Sequence, residues 1–410
     1  MDTGETLSGA GTISNLALVN NGTIVANGAN HLIITPNAGG FTNAGTVNVN
    51  SGSFLGLDAT AAATAGTNGL TNSGTIGVAD SGVLAFADFS NSATTETLVN
   101  NGAINVGGSG AGGELELDTT GVQRTFQFTG TGSINLSDNF NNAITGNSGT
   151  ENLVIGTDQT LQGAGTISNL ALVNNGTIIT NGTNALNVTP NAGGFTNKGT
   201  VTVNSGSEFN VSGSYRQSAG ATDVNGTLIS TAITVTGGTL NSGGGIVETP
   251  SLSNGTSITA DSTGFIGVGS GKFMATSGYQ QLANGTLDEL ISGASNFGVI
   301  SVTGPASFDG TLDVMLENGF IPTVGDQFAF LDFTPGDLSG TFADFLDQIF
   351  DNGAEKWGLD YNNSGGDLTL TAEANTTTTT PEPASLLLVG TGLLGLGWLL
   401  RRRLGLGARG

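Results

Sequence analysis

A stretch of 18 residues occurs twice in this chain with one change. From Leu7 it reads LSGAGTISNLALVNNGTI, and from Leu161 it reads LQGAGTISNLALVNNGTI. The correspondence resumes as TPNAGGFTN at Thr35 and Thr189, then as GTVNVNSGS and GTVTVNSGS at Gly45 and Gly199. One offset of 154 residues joins all three pairs, so residues 7–57 and 161–211 are copies of a long unit. A shorter phrase runs through it: a small or polar residue, Gly, Thr/Ala/Ser, then Ile/Val/Leu. It occurs as NGTI at Asn21, AGTV at Ala44, SGTI at Ser73, NGAI at Asn101, NGTI at Asn175 and KGTV at Lys198, mostly at intervals in the twenties. Units of that length cannot bury an apolar face alone and must stack on their neighbours.

Each phrase has a local reading. Asn-Gly is expected to supply the positive φ of a tight corner. The β-branched alternation that follows, as in Thr46–Val49 and Thr200–Val203, reads as a short strand with one buried face. Successive short strands without helices predict a right-handed parallel β-helix (a β-solenoid) over residues 1–285, roughly a dozen coils long. An antiparallel sandwich or barrel is the competing architecture. A disordered chain is opposed by the regular Ile/Val/Leu placement and by 37% hydrophobic residues.

Composition excludes several functions. No cysteine is present, which removes disulfides, thiolate metal sites and cysteine nucleophiles. Nine Lys+Arg against 32 Asp+Glu disfavour nucleic acid as a partner. Four of those basic residues lie in the last ten, so the body ahead of Pro381 sets five bases against 31 acids, a solvated acidic surface. The chain opens inside a repeat, with no basic and apolar leader ahead of it, which is the expectation for a truncated sequence or a misplaced start.

Nine of the 20 phenylalanines fall between Phe297 and Phe350. Strands are expected at Thr311–Leu316, Gln327–Phe333, Lys356–Tyr361 and Asp367–Ala372. Phe342, Phe345, Leu346, Ile349 and Phe350 fall at helical spacing and predict an amphipathic helix over Thr341–Phe350. Residues 286–374 therefore read as a small aromatic-rich cap over the open end of the solenoid. The run GTLDV…NGFIPTVGDQFAFLDF…GTF…W-x-L-x-Y…LTL resembles the segment before the sorting tail of secreted bacterial β-helix proteins. It is also similar to the end of autotransporter passenger domains.

A threonine linker, 375–380, leads to Pro381, Glu382 and Pro383. The apolar run 384–400 and then Arg401, Arg402 and Arg403 follow. That run is near the length of a membrane-spanning helix, and the arginines would stay cytoplasmic. The order of parts over 381–410 resembles the PEP-CTERM sorting signal of Gram-negative bacteria. The resemblance implies export, recognition by an exosortase during a transient stay in the inner membrane, removal of the tail, and residence at the cell surface or in the exopolysaccharide matrix. A permanent tail anchor is the alternative.

Catalytic chemistry finds little support. Gly108–Gly113 and Gly390–Gly395 match G-x-G-x-x-G but lack a strand-turn-helix frame. His31 is the single histidine and has no metal-ligand spacing. Glu114, Glu116 and Asp118 alternate onto one strand face, as a glycosidase pair would need and as any solvated strand shows. A lyase would need basic groups, and Arg124, Lys198, Arg216, Lys272 and Lys356 are scattered. The expectation is an exported structural or adhesive protein, not an enzyme, with no cofactor. A polysaccharide lyase or glycosidase is the alternative.

Overall fold

The computed structural model describes residues 1–58, 69–87, 95–118, 123–254, 257–260, 265–268 and 278–376. Three short strands make one coil. Thr6–Gly9, Gly11–Ser14 and Leu18–Asn20 form the first. Each pairs in parallel with the strand three places later, as Thr6↔Thr23, Gly11↔Leu32 and Leu18↔Phe41. Repetition of that step builds three parallel faces, the architecture of a β-solenoid. Fifteen strands stack on the first face among the described residues, ending at Asp344–Leu346. At the usual strand spacing that face is about 65–70 Å long.

The core follows from period-two alternation. On the first face Ile24, Val47, Ile76, Ile104, Ile134, Leu161, Ile178 and Val201 stack in register, and all are at most 2% exposed. Each such side chain contributes about 1.5–3 kcal/mol by leaving water. Thr222 interrupts the stack and is buried, with its hydroxyl bonded to Tyr215 at 2.5 Å and to Gln217 at 2.7 Å. In the middle of the chain the corners are short enough for strands to run round them. Glu208–Val224 and Thr227–Asn241 each cross all three faces, with register shifts at the bends.

The corner glycines serve a different purpose from the expected one. Gly22, Gly45, Gly74, Gly102, Gly176 and Gly199 do not have positive φ. A Cβ on Gly45 would stand 2.2 Å from the Gly22 carbonyl oxygen, one on Gly74 2.0 Å from that of Gly45, and one on Gly102 2.0 Å from that of Gly74. Gly176 and Gly199 repeat the relation at 2.2 and 2.1 Å. Glycine is required because successive backbones touch, so steric closeness decides the residue and not handedness of the turn.

Two residues before these glycines lies a buried asparagine. Asn20 Nδ2 donates to Asn43 Oδ1, Asn43 to Asn72 and Asn72 to Asn100, each at 2.8 Å. The chain of amides passes to Gln159, whose Oε1 accepts from Asn100 Nδ2 at 3.1 Å. A second run goes from Asn174 to Asn197 to Gln217, again at 2.8 Å per step. These amides also reach backbone carbonyls, Asn20 to Thr46 at 3.0 Å and Asn174 to Thr200 at 2.9 Å. A buried ladder of this kind locks the register between coils, since a shifted coil would strand polar groups in the core.

The expected strands at Thr46–Val49, Thr200–Val203 and Thr311–Leu316 are present, and the later ones are Gln327–Asp332, Glu355–Asn362 and Asp367–Ala374. The helix expected over Thr341–Phe350 is not formed. Asp344–Leu346 instead pairs in parallel with Thr311–Leu316, and Ile349–Phe350 pairs antiparallel with Glu355–Asn362. The only helical turn among the described residues is the 3-10 turn Asp351–Gly353. The open edge of Thr311–Leu316 offers hydrogen bonds that override the local 3.6-residue pattern, and Leu346 and Ile349 remain 50% and 58% exposed. On the second face, Gln327–Asp332 ends the parallel run by pairing antiparallel with Asp367–Ala374, which pairs with Glu355–Asn362. Trp357, 1% exposed, packs against Phe328 and Phe350 with ring centroids 5.6 and 4.6 Å away.

Candidate functional site

The sorting residues Pro381, Glu382 and Pro383, the expected membrane helix 384–400 and Arg401–Arg403 lie outside the described residues. Among the described residues, no helix is long and apolar enough to cross a membrane. The surface features that bear on function therefore belong to the solenoid wall.

Outward residues on the first face form a second amide ladder, with Asn105 exposed and Asn135 and Gln162 half-buried. Asn135 Nδ2 donates to Asn105 Oδ1 at 2.8 Å, and Gln162 Nε2 donates to Asn135 Oδ1 at 2.9 Å. On the second face the hydroxyl of Ser212 reaches that of Thr189 at 3.0 Å, and Asn210, itself buried, donates from Nδ2 to Asn187 Oδ1 at 3.1 Å. Parallel pairing in register places like side chains above one another, so a repeated polar residue becomes a polar stripe.

Glu114, Glu116 and Asp118 do share the outer side of one strand, Glu114–Asp118, and all three are half-buried. Burial first, then the charges of Asp118, Glu114 and Glu151, push the Glu116 carboxyl above its ordinary value. Asp118 accepts a 2.7 Å hydrogen bond from Asn147 Nδ2. His31 is exposed and stacks on Phe54, centroids 4.2 Å apart and planes inclined by 25°. No group of three or more His, Cys, Asp or Glu among the described residues is placed to hold a metal ion.

The glycine-rich loop at Gly108–Gly113 binds the protein's own carboxylate. The amides of Gly108, Gly110 and Gly112 donate to Asp80 at 2.7, 2.9 and 3.2 Å. That loop is an internal anion nest, already filled. A second clamp holds Asp138, which accepts from the Thr183 and Asn184 amides at 3.0 and 2.9 Å and is pulled down to about 2 by them.

A buried charge pair leaves little trace in the sequence. Arg124 is 1% exposed and Glu96 2%, with Nη1 and Oε1 3.5 Å apart. Glu151 stands beside Arg124 in register and is fully buried, accepting from the Ser148 hydroxyl at 2.6 Å and from the Ser148 and Thr150 amides at 2.9 Å each. Desolvation, then the charge of Asp58, pushes the Glu96 carboxyl up to about 7. Its only sequence signal is that Glu96, Arg124 and Glu151 each fall on an inward position of an alternating strand. The buried asparagines had a clearer signal, the N-x-G pattern at Asn20, Asn43, Asn72, Asn100, Asn174 and Asn197.

Parallel strands wound into three stacked faces make this an all-β, solenoid-type protein. Its C-terminal residues 379–403 match the PEP-CTERM protein-sorting motif. That motif marks an exported protein sorted by an exosortase. A search of curated proteins finds none that matches the chain.

Proposed function

We propose that this chain is a structural or adhesive β-solenoid delivered to the cell surface or extracellular matrix of a Gram-negative bacterium. The carrying observation is the PEP-CTERM match at 379–403 behind a long solenoid whose outer wall bears amide and hydroxyl stripes. The apolar run 384–400 serves as a transient span in the inner membrane, held by Arg401–Arg403 on the cytoplasmic side. An exosortase reads Pro381-Glu382-Pro383 and removes the tail. Winding is right-handed, the hand that twisted strands impose on parallel connections. The stripes of Asn, Gln, Ser and Thr hydrogen-bond exopolysaccharide hydroxyls along the rod.

Two measurements test this. Mass spectrometry of surface protein from a host with the matching exosortase and a functional secretion signal should give mature chains ending near Pro381. Intact peptides from Thr380 to Arg401 in most molecules would establish a permanent anchor instead. A glycan array on the purified protein should show selective sugar binding for an adhesin.

A second reading, a glycosidase, is favoured by the raised carboxyl of Glu116 beside Glu114 on one strand face, since a general acid needs such a shift. Release of sugar product on the array, lost in Glu116→Gln, would establish it.

A further inference from the structure

The duplication provides an internal control for one part of the wall. At the corner between the first and second faces, His31 and Phe54 of the first copy correspond to Ala185 and Glu208 of the second. Each pair stands just ahead of matched positions on adjacent coils, Leu32↔Leu55 and Leu186↔Phe209. In the first copy the two rings stack with centroids 4.2 Å apart. In the second copy neither position carries a ring, and a hollow of about 320 Å³ opens, with Thr183, Ala185, Ser207, Glu208, Asn225 and Thr227 in its walls. Neighbouring exchanges run the same way: Ala29 becomes Thr183, Ile33 becomes Asn187 and Gly56 becomes Asn210. The inward residues stay apolar, with Leu186, Val188, Phe209 and Val211 all buried. The core is kept while this patch turns from apolar to polar.

The same corner, two coils earlier, displays Phe140, which is 64% exposed. Its loop is fixed in place. Asn139 Nδ2 donates to the Gly108 and Gly110 carbonyls at 3.0 and 2.9 Å, and Asn139 Oδ1 accepts from the Asn141 amide at 3.0 Å. Asp138 accepts from the Thr183 hydroxyl at 2.8 Å, which ties this loop to the wall of the hollow. Ring and hollow are therefore parts of one strip, about 10 Å apart at the usual strand spacing. A ring held rigidly in water and rimmed by polar groups marks a contact site. Its face suits the apolar C–H face of a sugar. In the hollow, Glu208 accepts from Asn210 Nδ2 through Oε1, and Oε2 has no partner among the described residues. A half-buried carboxylate accepts strongly from hydroxyls, and Asn225 and Thr227 add an amide and a hydroxyl. The corner segments 137–142, 181–185, 204–207 and 225–226 contain no Lys or Arg. With Asp138 and Glu208 there, an anionic chain is repelled. We propose that this corner is a binding site for a neutral polysaccharide, one sugar unit stacked on Phe140 and further units hydrogen-bonded in the hollow at Glu208. The inference rests on the adhesive reading above and gives it a site and a class of sugar.

The test is the mobility of the full chain, in mild detergent, through native gels containing galactomannan, soluble β-glucan or dextran, with alginate as the acidic control. The expected result is retardation by at least one neutral polymer and none by alginate. Ala185→His with Glu208→Phe installs the ring pair of the first copy. It should fill the hollow, keep the melting curve and weaken binding by about tenfold. Phe140→Ala, at an exposed position, should weaken binding by a similar factor, and it decides the matter if the filled variant is destabilised. Val324→Ser, at an exposed apolar site on the cap, should leave binding unchanged. Retardation that survives both the filled hollow and Phe140→Ala overturns the site and leaves the adhesive reading to the outer stripes. Retardation by alginate alone overturns the neutral class and likewise spares that reading. No retardation by any polymer overturns both.

Discussion

At the scale of the residue, two glycines with opposite needs separate steric closeness from backbone handedness. Gly194 has φ +72° and open space around it, whereas a Cβ on Gly176 would stand 2.2 Å from the Gly156 oxygen and 2.4 Å from that of Gln159. Gly194→Ala meets only the left-handed penalty, about 1–2 kcal/mol, and Gly194→Asn should recover most of it. Gly176→Ala forces two coils apart and should cost about 3 kcal/mol, at the upper end of overpacking effects. Urea titrations of the three variants check this. Equal losses at Gly176 and Gly194 would show that the coil-to-coil contact does not decide the residue.

At the scale of the element, one coil carries a compensated exchange. In the coil containing Ser133–Leu136, Gly130 stands where its neighbours have the ladder asparagine, with φ +92°. The next coil has Gln159 where its neighbours have the corner glycine. The longer amide reaches back into the vacant place, with Nε2 donating to the Asn100 and Thr129 carbonyls at 2.5 and 3.0 Å. Gln159→Ala should remove three buried hydrogen bonds, from Asn100 Nδ2 and to the Asn100 and Thr129 carbonyls, and lower stability by about 2–4 kcal/mol, although Asn100 keeps its bonds to the Ser133 carbonyl and to Asn72. Asn72→Ala breaks the ladder between two intact neighbours and belongs to the same range. A double variant tests coupling: Gln159→Ala with Asn72→Ala should cost less than the two losses added, because Asn100 bonds to both residues. Full additivity would mean the amides act as separate pairs and not as one ladder.

For the whole molecule, the acidic charge and the burial of several carboxyls set a pH dependence. Burial raises Glu96, Glu116, Glu289, Asp313 and Asp332, Glu96 to about 7. A raised carboxyl binds more protons folded than unfolded, so the stability it permits is complete at low pH and falls as pH rises from the ordinary carboxylate range through 7. Asp138 acts the other way: its contribution is present above its ordinary 3.8 and is lost as pH falls through about 2. The melting temperature should pass through a maximum at about pH 4–5 and decline toward pH 8. Glu96→Gln should flatten the decline between pH 5 and 7. A melting temperature that is level or rising from pH 5 to 8 would contradict the burial of these groups.

The repeat makes the architecture legible in the sequence itself. Duplicated phrases with alternating β-branched residues, as at Thr46–Val49 and Thr200–Val203, determine inward and outward faces locally, and equal units stack in parallel. The sorting motif is linear, so Pro381, Glu382 and Pro383 could be read directly. What only the tertiary structure decided depends on neighbours remote in the chain. Gln159 and Asn100 are 59 residues apart and meet because Gly130, in the one coil between them, has no side chain to fill the ladder. The corner glycines answer to carbonyls of the coil beneath, which no local φ preference reveals. Phe342 to Phe350 carry a helical period, yet the hydrogen-bonding edge of Thr311–Leu316 draws Asp344–Leu346 into a strand. Local pattern chooses which face a residue takes in this fold. Contacts between coils choose which residue can occupy it, because backbones touch at corners such as Gly45, Gly74, Gly102, Gly176 and Gly199.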